Sequence, residues 1–119
     1  MKNLSTIGNY IYGLPFAIFG IMHIMNANNF AAYVPSFFPI KIFLVYLTGL
    51  ALILAAVSII INKHVKISTL LLGIMLLIFA LTIHLPGVLN PEMMQMSLPS
   101  LLKDTSLAGA AFYFSSKSE

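Results

Sequence analysis

His23, His84 and Asp104 are the residues of this chain that could do chemistry together, and each lies in or beside an apolar run. Imidazole can donate, accept and carry a proton near neutral pH, and a carboxylate can take it up, so the trio suits proton exchange with a bound polar group. Two histidines on separate helices would also suit haem ligation, and two histidines with a carboxylate would suit a non-haem iron triad. A hydrogen-bonding pocket asks less of the geometry. Histidine donors and an aspartate acceptor could hold a quinone oxygen, with Phe16, Phe19 or Phe79 lining the ring. Lys103 either snorkels outward beside Asp104 or joins the cluster, depending on how its helix is rotated.

Each of these residues also has a plainer reading. A histidine or aspartate between helices can hydrogen-bond across and hold the bundle together, at about 0.6 kcal/mol per bond. The grouping of three weighs toward a site, because ionisable residues at membrane depth are functional candidates by default. His64 belongs to the basic turn Asn62-Lys63-His64-Val65-Lys66 and reads as solvated. Tyr10, Tyr12, Tyr33 and Tyr46 read as interface anchors, and Met93, Met94 and Met96 as adaptable apolar filler rather than soft-metal ligands. The absence of cysteine removes thiolate nucleophiles, disulfide exchange, iron–sulfur clusters and thiolate-bound zinc, so redox chemistry would need a borrowed cofactor.

The elements that must position these residues follow from composition. Of 119 residues, 60% are hydrophobic and 8% charged, with a mean hydropathy of +0.98, far from the make-up of soluble domains. The chain is too short for several domains yet can supply three or four spans of ~20 residues, the length that crosses a bilayer. An all-α integral membrane four-helix bundle is predicted, one transmembrane domain with spans at about 7–25, 40–61, 67–84 and 98–114. The first apolar run exceeds the core of a signal peptide and lacks a small-x-small cleavage pattern, so it is read as an uncleaved span kinked at Pro15.

Tyr33, Pro35, Phe37, Phe38 and Pro39 suggest a linker lying along the interface. The short basic turn makes spans two and three antiparallel neighbours. Pro86 biases Leu85 out of helical geometry, which predicts that span three stops near His84. Span four is expected to begin between Ser97 and Ser100, with Ser97 as cap and Pro99 in the first turn. Lys103 and Asp104 interrupt it, each costing about 2.5–3.5 kcal/mol at the bilayer centre. The alternative is an extramembrane arm over 86–106 and three spans. Four are preferred, because the apolar stretch Leu107 to Phe114 would otherwise be unexplained.

With four spans, Lys2, Lys63, Lys66 and Lys117 fall on one side and Lys41 and Lys103 on the other, which places both termini in the cytoplasm. Threading the spans up and down brings His23, His84 and Asp104 near the outer surface. At about 100° per residue, Gly73 and Ala80 share a face with His84, and Ala108 and Ala111 with Asp104, while Gly20 lies one turn from His23. Small residues mark close helix approaches, so these polar groups are expected to face the bundle interior. The lysines are scattered, so the formal charge of +3 points to topology and not to nucleic acid. The Gly and Ala faces also permit a homodimer.

Leu14-Pro15-Phe16, Phe19-Gly20 and His23, then Tyr46-Leu47-Thr48-Gly49, His84-Leu85-Pro86-Gly87, and Leu102-Lys103-Asp104 with Leu107-Ala108-Gly109 together give a pattern that resembles the DoxX family of small bacterial membrane proteins. The resemblance covers nearly the whole chain and rests on the order and spacing of short pieces. It implies a four-helix inner-membrane protein associated with membrane redox complexes, since the family includes a subunit of a thiosulfate:quinone oxidoreductase. Distant animal relatives look like assembly chaperones. The chain is thus expected to act with a partner that supplies electrons, as a ligand-binding accessory subunit or as an assembly factor, and not as a complete enzyme.

Overall fold

The computed structural model describes residues 2–118 apart from Tyr33 and Pro35, so the proposed anchor Tyr33 lies outside the described residues. All the regular elements are helical: α1 Lys2–Met25, α2 Ala27–Ala31, α3 Lys41–Ile61, α4 Val65–Phe79, α5 Leu85–Val88 and α6 Met94–Lys117. A π turn over Ala80–His84 joins α4 to α5 without a break. The molecule measures 45 × 26 × 19 Å, and its long dimension matches a bilayer with its headgroup layers, about 40–45 Å.

Three helices are long and apolar enough to cross a membrane: Asn3–Met25, Lys41–Ile61 and the continuous rod Val65–Val88. Helix α6 has the length but not the hydropathy. Lys103, Asp104 and its serines and threonines dilute the apolar residues.

Two tight helix pairs build the bundle, and glycine makes the first of them possible. A Cβ on Gly20 would lie 2.6 Å from the Gly49 carbonyl oxygen, and one on Gly49 would lie 2.8 Å from that of Gly20. One turn-pair further along, Gly13 faces Ala56 and Ile60. The backbones of α1 and α3 therefore touch, the arrangement that small residues allow in membranes, where apolar burial alone gives helices little reason to associate. In the second pair, α4 and α6, Gly73 receives the Phe112 ring. Phe16, Leu52, Ile59, Leu72, Leu76 and Ala108 form the core where the pairs meet.

Tyr12, expected at the interface, instead crosses between the pairs. Its hydroxyl donates to the Leu107 carbonyl at 2.7 Å, and its ring stacks on Phe114 at 4.8 Å. A buried phenol needs a polar partner, and a carbonyl on the facing helix supplies one.

Four local expectations need correction. The third helix does not stop at His84, because Leu85 stays helical (φ −62°, ψ −46°) and its N–H reaches the Ala80 carbonyl five residues back. The wide turn moves the carbonyls that an α ladder would press against the Pro86 ring, so the chain continues to Val88. Helix α6 starts at Met94, so Ser97 is buried inside it and caps nothing, and Pro99 sits beyond its first turn. Part of the first linker coils into α2, whose Ala27 and Ala31 pack on Val45 of α3. Met93, Met94 and Met96 are exposed and fill no core.

Candidate functional site

The Tyr12 bridge sets the relative level of α1 and α6. About three turns of α1 separate Tyr12 from His23, and about three turns of α6 separate Phe114 from Asp104. The Tyr12 hydroxyl itself reaches Leu107, less than one turn from Asp104, so His23 and Asp104 lie in the same half of the bundle, toward the end where α1 gives way to α2. Lys103 gives independent support. Its Nζ lies 5.9 Å from the centre of the Phe19 ring, and that ring meets His23 edge-on at 4.7 Å.

His84 and Asp104 form a direct pair, Nε2 to Oδ2 at 2.9 Å, across the joint between the π turn and α6. The carboxylate side chain is 10% exposed and the imidazole 22%. The π turn sets the imidazole's direction, since one added residue rotates everything after it, a device common at functional sites. On α6, Ala108 and Ala111 are buried on the Asp104 face, and Gly73 of α4 and Ala80 of the π turn are buried as well. The α4–α6 contact is thus close enough for a short carboxylate to reach across.

Gly87 maintains that approach just beyond His84. A Cβ there would lie 2.7 Å from the Ser97 Cβ. Gly87→Ala should therefore push α6 away and cost about 1–3 kcal/mol through overpacking. Ser97→Gly, by clearing the opposing atom, should restore most of the loss. Thermal unfolding of the single and double variants in detergent checks both results, and an additive double variant would contradict the contact.

His23 is buried apart from the pair. Its Nδ1 contacts the Phe19 carbonyl at 2.7 Å, and its ring stands edge-on to Phe19 and Phe30 at 4.7 and 4.6 Å. A carbonyl only accepts, so Nδ1 carries the hydrogen and, in the neutral ring, Nε2 presents the lone pair. Among the described residues no contact joins His23 to His84 or Asp104, and no group of three histidine or carboxylate side chains could hold a metal ion. The iron triad weighed from the sequence is therefore not assembled.

Three polar atoms in this half of the bundle have no described partner: Nε2 of His23, Nδ1 of His84 and Oδ1 of Asp104. No buried side-chain nitrogen or oxygen among the described residues is left without a partner, so these three are reachable from outside the chain. Lys103 is exposed beside them, and Phe19 is partly exposed, whereas Phe16 is committed to the core. His64 is exposed in the α3–α4 turn at φ 56° and belongs to the opposite end. No signal in the sequence pointed to the π turn or to Phe30 as the second wall around His23. No protein-family model, curated protein or solved structure matches the chain.

Proposed function

We propose that this protein holds the polar head of a lipid-soluble, quinone-like molecule at the His84–Asp104 pair, with His23 as a second contact and Lys103 at the rim. The observation that carries the reading is the 2.9 Å His84–Asp104 pair with its second nitrogen and second oxygen left without partners, in the same half of the bundle as the unpartnered Nε2 of His23. The pair holds a proton between Nε2 and Oδ2, which a bound carbonyl or hydroxyl could exchange. In this reading α6 crosses the membrane as a fourth span, and its two charges are tolerated because one is paired and the other lies near the surface. Lys63, Lys66 and Lys117 then share the cytoplasmic face with both termini, and the candidate site faces outward. The resemblance to the DoxX family supports a bacterial inner-membrane location and an accessory role beside an oxidoreductase.

Decylubiquinone titrated into the purified protein tests the proposal. His84→Ala and Asp104→Asn should each weaken binding about tenfold or more, the equivalent of one good hydrogen bond of 1.4 kcal/mol, while circular dichroism remains helical. Unchanged affinity in both variants would contradict it. A second reading is favoured by the same 2.9 Å bond, because the pair is already satisfied within the chain and joins two helices. On that reading the protein is an assembly or structural factor. Both readings expect the variants to lose thermal stability, so the wild type decides between them: on the second reading it should bind no quinone.

A further inference from the structure

A separate polar notch lies at the junction of α1, α2 and α3. It is an open recess of about 230 Å³ edged by Asn26, Asn28 and Asn29, with Tyr46 on its α3 side. Tyr46 also lines a second groove of about 470 Å³ that runs down the membrane-facing side of α3 between Ile42, Phe43, Leu47 and Leu50. A polar compartment and an apolar one thus meet at one aromatic ring. The shared ring lies one turn from the end of a span-length helix, the depth at which tyrosine marks the lipid–water boundary.

The chemistry of the two compartments specifies the occupant. The carboxamides of Asn28 and Asn29 are exposed and without described partners, and Asn26 spends only its Nδ2, on the Met22 carbonyl at 3.2 Å. Each amide offers donors and an acceptor, which is what hydroxyl groups require, since a hydroxyl both gives and receives. Neither compartment is lined by a charged side chain, so within the notch the carboxamides, and not an ion pair, recognise the head. The apolar groove accepts a hydrocarbon chain in register with that head.

We propose that the Asn26–Asn28–Asn29 notch and the α3 groove together bind one membrane lipid with an uncharged, hydroxyl-rich head, such as a glycosyl diacylglycerol. The head hydrogen-bonds the three carboxamides, Tyr46 packs against the linkage region, and one acyl chain lies along Ile42, Phe43, Leu47 and Leu50. This site is independent of the His84–Asp104 pair and stands whether or not that pair binds a ligand.

Native mass spectrometry of the full chain in detergent tests the inference with three probes: monoglucosyl diacylglycerol, phosphatidylglycerol of the same acyl chains, and methyl glucoside. The wild type should retain the glucosyl lipid at least about tenfold more than either other probe, a margin of about 1.4 kcal/mol. Asn28→Ala/Asn29→Ala should erase that preference, and Tyr46→Ala should reduce retention of the glucosyl lipid. All three positions are exposed, so the helical signature should survive. Equal retention of phosphatidylglycerol would mean unselective lipid contact and overturn the proposal. So would methyl glucoside binding as well as the lipid, or an unchanged preference in the asparagine double variant.

Discussion

His84→Ala is expected to destabilise the folded bundle by about 2 kcal/mol, within the roughly 1–3 kcal/mol that a buried hydrogen-bonding group left without its partner costs. The upper end does not apply because the imidazole is 22% exposed and its carboxylate partner 10%. The loss arises from what remains: Asp104 stays at the α4–α6 contact with its Oδ2 partner gone. Asp104→Asn should be milder, about 0.6–1.7 kcal/mol, because an amide still hydrogen-bonds the imidazole. Replacing both residues by leucine should recover most of the stability, since apolar side chains of similar volume often substitute for a buried pair without penalty. Reversible unfolding in mixed detergent gives all three values. Equal losses for His84→Ala and Asp104→Asn, or additive losses in the double variant, would mean that the two residues do not act as a pair.

The largest structural effect is expected at Gly20. A valine there places its Cβ 2.6 Å from the Gly49 carbonyl oxygen and 2.7 Å from Ile53 Cγ1, and a backbone carbonyl cannot rotate away as a side-chain tip can. Helices α1 and α3 must separate, and the rows Gly13 with Ala56 and Gly20 with Gly49 lose their contact together. The expected cost is about 3 kcal/mol or more, a fall of about 10 °C or more in unfolding midpoint at the several degrees per kcal/mol typical of a chain this size. Gly109→Val is the matched control, because a Cβ there meets nothing within 4 Å. Comparable losses at both positions would show that the α1–α3 approach is not as close as described.

Much of this architecture can be read from residue order. Uncharged apolar runs mark the three span-length helices, and small residues mark where they approach, as at Gly20, Gly49 and Gly73. The level shared by His84 and Asp104 follows from threading antiparallel helices, because rise per residue is nearly constant. The remainder depended on contacts that periodicity does not encode. Pro86 is a helix breaker by local rules, yet the π turn before it and the Gly87–Ser97 contact after it carry the helix onward. Met94 begins α6 without a side-chain cap, so no start signal existed to be read. Tyr12 looked like one more interface tyrosine, and only the partner carbonyl of Leu107 distinguishes it. Depth along a helix does not determine direction, and the His23 ring turns to Phe19 and Phe30 rather than to the other two.

A ligand site at this end of the bundle requires a direct contact, in lipid, between side chains from α6 and from the end of the α4 rod. Magic-angle-spinning NMR of the protein in bilayers, labelled with 15N histidine and 13C aspartate, measures it through nitrogen–carbon transfer. With three histidines and one aspartate in the chain, the assignment is simple. A strong correlation between the His84 side-chain nitrogen and the Asp104 carboxyl carbon, lost in His84→Ala, is the predicted result. Absence of that correlation in the wild type, at mixing times that reveal other hydrogen-bonded pairs, would contradict the pair and the function built on it.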